Sequence, residues 1–256
     1  MKISREFKKN LNFFWAIILK DWYFFIKSPV GQLLCSLLFL YSSFMFFILF
    51  KSFNEFIQDN IFINKMNITI YSGIISPYYK NMIFFLMLYF PLLGTRFFSK
   101  EINDSIWYTE NPQITKWIWF RFLSFFLFFI IFIFYIFILP YSVLSYIKWD
   151  VSIYMLFPYL ILTISFTLFY SMLCVLWLYQ ENHIYLKAAG FFFSGLLLYS
   201  ADQFFIKYLD IVGFSMRIER ALDGVIEIND LFYFLFWTFL FYEWAKLKIT
   251  LRIPFP

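Results

Sequence analysis

Long apolar runs alternate along the chain with short polar segments of mixed charge. Val30–Phe50 and Val151–Gln180 contain no charged residue, and Trp117–Tyr146 carries only Arg121. Asn81–Phe98 is apolar up to Arg96, Ala188–Ala201 is a shorter run of 14 residues, and Leu231–Tyr242 opens a last one. About 20 consecutive apolar residues span a bilayer as a helix. The pattern therefore predicts an all-α polytopic membrane protein with six transmembrane helices, near 30–50, 81–98, 117–146, 151–180, 184–206 and 226–248. The runs are continuous and do not alternate residue by residue, which argues against a membrane barrel. Val151–Gln180 is longer than a span requires, so a tilt or a kink near Pro158 is expected. The fifth run covers only about 21 Å as helix. It spans if Lys187 snorkels or if the helix continues past Asp202.

The segments between the runs set the topology. Residues 1–29 place Lys2, Arg5, Lys8, Lys9, Lys20 and Lys27 around Phe13, Phe14, Trp15, Ile17, Ile18, Trp22, Phe25 and Ile26. That arrangement suits an amphipathic helix lying in the membrane interface. Ser28-Pro29 ends it, because proline disfavours helix in the residue before it. With both termini inside, 14 of the 21 basic residues fall on the cytoplasmic side and 7 outside, as the positive-inside rule requires. Lys51–Lys80 then reads as an outer loop, Lys148-Trp149-Asp150 as an outer turn and Glu181–Lys187 as an inner one. Residues 202–230 mix short apolar pieces with Asp210, Arg217, Glu219, Arg220, Asp223, Glu227 and Asp230. This stretch is expected outside, dipping back as a re-entrant segment before the last span, with its backbone satisfied by burial against protein.

Composition agrees and adds little chemistry. The chain is 62% hydrophobic and 14% charged, too little polar residue to cover a soluble core of this length. The 42 Phe and 19 Tyr rise together with Ile, Lys and Asn, as the codons of an AT-rich genome dictate. A net charge of +5 suits loops facing anionic lipid, not nucleic acid. No cleavable signal peptide is visible. Cys35 and Cys174 lie in separate apolar runs and form no metal or redox motif, and the single histidine, His183, builds no metal site. No G-x-x-x-x-G-K-[ST] phosphate loop is present. Gly190 and Gly195 are five apart and make no G-x-x-x-G packing face. No catalytic, cofactor-binding or metal site is expected.

Charges near membrane depth are costly, about 2.5–3.5 kcal/mol each at a helix centre. Arg96 and Asp202 stand at run boundaries, and Glu243 lies twelve residues into the last run, where Lys246 one turn on could pair with it. The most organised polar stretch is Arg96–Arg121, RFFSKEINDSIWYTENPQITKWIWFR. Phe98, Ile102 and Ile106 recur every four residues with Trp107 beside them, while Lys100, Glu101, Asp104 and Ser105 occupy the remaining surface. That is a short amphipathic helix, broken at Asn111-Pro112, whose stripe can lie on lipid or seat in a groove of a cytoplasmic partner.

Three places resemble the permease subunits of ABC-2-type exporters, and among them the gliding-motility-type permeases. Ser28-Pro29-x-Gly31 resembles the family's S-P-x-G at the start of the first span. Arg96-Phe97-Phe98-Ser99-Lys100-Glu101 resembles its R-x-F-A-x-E at the cytoplasmic end of the second, followed by the proline matched by Pro112. Asp223-Gly224-Val225-Ile226, with Asp230 and Tyr233-Phe234, resembles its G-V-I…D…Y-F entry into the last span. Asp104-Ser105 and the Ile106–Glu110 turn depart from the usual Gly-Thr and leucine-rich turn. The resemblance implies a permease in the bacterial cytoplasmic membrane, working with a second copy or a homologous permease. ATP and magnesium would be held by separate ATP-binding cassette subunits. It also implies that Phe98, Lys100, Glu101, Ile102, Ile106 and Trp107 form the coupling helix that meets those subunits, and that substrate passes between the permeases. The uncharged runs and the outer re-entrant segment favour an amphiphilic or lipid-linked cargo over a small ion. A membrane scaffold anchoring a gliding or secretion machine, with the same stretch as its docking site, is the alternative.

Overall fold

The computed structural model describes residues 15–16, 18–59, 69–97, 114–147, 149, 152–178, 184–204 and 214–252. All regular structure among them is helical. In chain order these are α1 (18–27), α2 (Pro29–Asp59), α3 (Ser76–Phe97), α4 (Ile114–Tyr146), α5 (Phe157–Leu178), α6 (Ile184–Phe204), α7 (Ser215–Leu222) and α8 (Ile228–Arg252).

Three helices are long and apolar enough to cross a membrane, over Pro29–Ile57, Trp119–Tyr146 and Phe157–Trp177. The other long helices, α3, α6 and α8, have 22, 21 and 25 residues, and within α6 the stretch Ala188–Ser200 is a shorter apolar run. Together they make an all-α, membrane-embedded protein. Helix α5 is the axis of the bundle: it packs against α3, α4, α6, α7 and α8. Helix α2 lies at the rim, against α3 and α4. Leu33, Leu37, Leu40, Phe44 and Phe47 line its open face.

Lipid supplies no hydrophobic drive between helices, so close packing must hold them together. Aromatic rings fill this core. Phe90 stacks on Phe129 at 4.2 Å between centroids, Tyr79 on Tyr159 at 4.7 Å and Tyr41 on Phe85 at 3.8 Å. Some buried hydroxyls are satisfied within a helix or between helices, while those of Tyr79, Tyr170 and Ser171 have no hydrogen-bond partner among the described residues. Thr163 and Thr167 each donate to the carbonyl one turn back, and the Ser42 and Tyr78 hydroxyls share a hydrogen bond of 2.6 Å.

Several boundaries differ from the pattern-based expectation. Lys51–Asp59, read as loop, continues α2, with Lys51 and Glu55 paired at 3.7 Å one turn apart. On the other side of that loop, helix resumes through the π turn Tyr71–Ile75 and Ser76–Lys80 rather than at Asn81. Pro77 has no N–H to give, and the turn before it widens to the π form. Val151–Gln180 is not one kinked helix. A 3₁₀ turn, Ile153–Leu156, precedes α5, and Pro158 stands in the first turn of α5, where its missing N–H costs nothing. Helix α6 does run on past Asp202, to Phe204.

The S-P-x-G stretch is the elbow between α1 and α2. Ser28 Oγ donates to the Phe25 carbonyl at 2.7 Å and accepts the Gly31 N–H at 2.9 Å, capping α2. A methyl group on Gly31 would collide with the Phe25 carbonyl oxygen. Glycine is required there for closeness of approach rather than for an unusual φ.

Candidate functional site

The polar chemistry gathers at the two ends of the bundle. At the near end α3 finishes and α4 begins. Residues 98–113 between them lie outside the described residues, and with them Phe98, Lys100, Glu101, Ile102, Ile106 and Trp107. The flanks are described. Arg96 is exposed in the last turn of α3, and Phe97 beside it is buried against Phe25, Phe125 and Phe128 at 5.2–5.5 Å.

Arg121 stands about 10 Å into α4, and its side chain is only 4% exposed. Its Nη1 donates to Asp21 Oδ1 of α1 at 2.5 Å. The other carboxylate oxygen accepts from Ser124 Oγ at 3.1 Å, and Trp22 Nε1 donates to the Ser124 carbonyl at 3.1 Å. Burial pushes the Asp21 carboxyl above the usual aspartate range, against the opposing pull of Arg121 and the Ser124 bond. Ile18, Asp21 and Phe25 form the buried stripe of α1, at helical spacing. Trp22 and Phe25 meet Phe128 edge-on at 5.9 and 5.2 Å. Helix α1 is therefore fastened to α4 by an ion pair set among rings.

Glu243 sits toward the same end, since the neighbouring Tyr242 packs on Trp119 at 4.8 Å. It meets Lys246 at 3.5 Å with both side chains 40% exposed, a half-solvated pair. Asp202 lies in the last turn of α6, and its side chain is outside the described residues, as are Glu181 and His183.

The far end is built around α7. Phe214, fully buried, donates its N–H to the Leu198 carbonyl of α6 at 3.3 Å and packs among Phe166, Phe169, Tyr170 and Phe234. Phe169 lies about 18 Å along α5 from Phe157, so the chain enters α7 from deep within the bundle. Gly224, at φ +85°, closes α7, with the Val225 N–H bonded to the Arg220 carbonyl at 3.0 Å. Asp230, at the start of α8, receives Arg217 Nη1 at 2.8 Å and Arg220 Nη2 at 2.6 Å. Arg220 also reaches Glu227 at 3.6 Å, and Arg217 lies over the Tyr233 ring at 4.3 Å. Asp230 and Tyr233, two residues of the D…Y-F pattern, thus both serve Arg217.

Asp21 is the functional candidate that pattern reading overlooks. Its signal is an acidic residue on the apolar stripe of an otherwise basic amphipathic helix. Among the described residues no group of three or more His, Cys, Asp and Glu could hold a metal ion, and Cys35 and Cys174 are separate thiols.

Fold and ends define a class: an all-α, membrane-embedded protein with a short helix folded into one end of its bundle. Comparison with family models, with curated proteins and with solved structures finds no match to this chain.

Proposed function

We propose that the chain is the membrane-spanning permease subunit of an ABC-2-type exporter in a bacterial cytoplasmic membrane. In this reading α2, α3, α4, α5, α6 and α8 are the six spans, and α7 with its approach is the outer re-entrant segment. The near end and both termini face the cytoplasm. Separate ATP-binding cassette subunits hold ATP and magnesium, dock beneath Arg96–Arg121 and move a second permease copy, or a homologous one, together with this chain. The cargo is amphiphilic or lipid-linked, in keeping with the uncharged faces of the long helices.

The observation that carries the reading is the buried Asp21–Arg121 pair. It joins the interfacial helix to the helix that leaves the polar segment. A push on 98–113 would arrive at α1 and α4 as one body, a rigid-body switch of the kind ATP-driven closure requires.

The test is co-purification in mild detergent, followed by ATPase and transport assays on Glu101→Lys and on Ile102→Asp/Ile106→Asp. The expected result is that an ATPase accompanies the unaltered chain and that both variants insert but no longer couple hydrolysis to transport. An ATPase that still binds these variants, with transport intact, refutes the coupling assignment. No ATPase at all favours the scaffold.

A further inference from the structure

Helix α7 has only 8 residues, yet it and its flanks are tied to four other helices. Phe214 N–H bonds α6, Tyr159 Oη donates to the Leu222 carbonyl at 2.9 Å from α5, and Lys80 of α3 meets Glu219 at 3.3 Å. The fourth tie, to α8, differs in kind. A single carboxylate, Asp230, 7% exposed, holds both Arg217, 16% exposed, and Arg220, 42% exposed. Arg217 Nε, Arg220 Nε and Asp230 Oδ2 are buried without a hydrogen-bond partner. The cavity beside them, between α5, α7 and α8, has about 10 Å³, room for one water at most and none for a substrate. The cluster of Arg217, Arg220, Asp230 and Glu227 is neutral overall and so does not recruit a charged ligand.

We infer that Asp230, gripped by Arg217 and Arg220, is the pin of a latch that keeps α7 seated in the far end of the bundle, and that this end opens when the pin is released. The argument is energetic. The Lys80–Glu219 pair is half exposed and contributes little. Among the described residues the most buried ionic contact of α7 is Arg217–Asp230, 16% and 7% exposed, and leaving Arg217 without that carboxylate is costly. The apolar side of α7, with Ser215, Ile218, Ala221 and Leu222 buried, separates from the bundle only as a unit. The inference rests on the exporter reading for its purpose, an outer gate, but its test needs no ATPase and no cargo.

The full chain is reconstituted in nanodiscs, with Cys35→Ser, Cys174→Ser and Ser165→Cys, so that a thiol lines the cavity wall on α5. The reaction rate with a polar maleimide is then compared with and without Asp230→Asn. The expected result is acceleration by at least about tenfold, equivalent to about 1.4 kcal/mol of lost holding free energy, with Asp230→Glu close to the parent. A parallel chain keeps Cys174, buried between α3 and α5, as the control for folding. Slow labelling of Cys174 alongside fast labelling at 165 supports the latch. Equal acceleration at both thiols is general unfolding and overturns it. So does an unchanged rate at 165, and neither negative result bears on the exporter reading.

Discussion

Replacing Asp21 by leucine should be among the most damaging single changes in this chain. It removes the carboxylate that the Arg121 guanidinium, 4% exposed, meets at 2.5 Å. Removing one partner of a buried ion pair costs about 3–5 kcal/mol, because the other charge stays desolvated. At roughly 2–4 °C per kcal/mol for a domain near this size, the melting temperature should fall by about 10 °C. The reverse change, Arg121→Met, should cost less. A guanidinium cannot shed its charge, whereas a carboxyl can take up a proton, and burial already drives Asp21 in that direction. With Arg121 gone, the folded-state pKa of Asp21 lies further above its unfolded value. The native form then binds the extra proton, so Arg121→Met should gain stability as pH falls through that raised pKa and lose it as pH rises. The double variant Asp21→Leu/Arg121→Met removes both charges and should recover most of the loss. The assay is thermal unfolding in detergent, followed with a thiol-reactive dye in a Cys35→Ser background, where buried Cys174 reports opening. A cost below about 1 kcal/mol for Asp21→Leu, the size of an exposed pair, would refute the clamp. A double variant no better than Asp21→Leu would do the same.

Three further outcomes follow from close contacts. Gly31→Ala should straighten or break the α1–α2 elbow, since the added methyl meets backbone rather than a movable side chain. Cysteine cross-linking between α1 and α4 should weaken while the span helices persist by circular dichroism. Gly94→Ala drives a methyl into Cys174 Sγ, an overpacking of about 1–3 kcal/mol. Cys174→Ala should restore most of the lost melting temperature, and failure of that rescue would place the strain elsewhere. Tyr159→Phe removes the donor to the buried Leu222 carbonyl and should cost about 1–3 kcal/mol, seen as faster hydrogen exchange confined to α7 and its flanks.

The helices were legible in the sequence as far as apolarity extended, and no further. Uncharged runs marked α2 and α5, while Lys51–Asp59 carries polar residues and was read as loop. A helix end with polar residues needs no apolar run, and i,i+4 pairs such as Lys51–Glu55 support it. Pro158 suggested a kink because proline inside a run breaks helix, but the 3₁₀ turn before it makes it a start. Arg121 could be placed near the interface by charge counting, yet its partner could not be named. Asp21 lies 100 residues away, and no local period connects them. Asp230 was visible as one letter of a pattern. Its meaning, a carboxylate shared by two arginines across the Gly224 turn, depends on how α7 folds back, and a short helix of mixed charge carries too weak a signal for that.

The two ionic ends are built differently, and the difference says where the bundle can move. At the near end the Asp21–Arg121 pair that joins α1 to α4 is nearly dry, with Ser124 on the second carboxylate oxygen, while the half-solvated Glu243–Lys246 pair lies within α8 alone. Such a pair adds little net stability against an apolar alternative, but separating it exposes two charges to a medium that cannot solvate them. It makes α1 and α4 stay together. At the far end two bases share one acid, and the outer members, Arg220 and Glu227, are 42% and 46% exposed. Water can take over part of their charge as they separate, so the barrier to loosening is lower there. In the proposed exporter, a bundle rigid at the near end and loosenable where α7 is seated would pass a movement from one end to the other without dissipating it at the near end. The reverse distribution of buried charge would let α1 swing free and leave α7 in place.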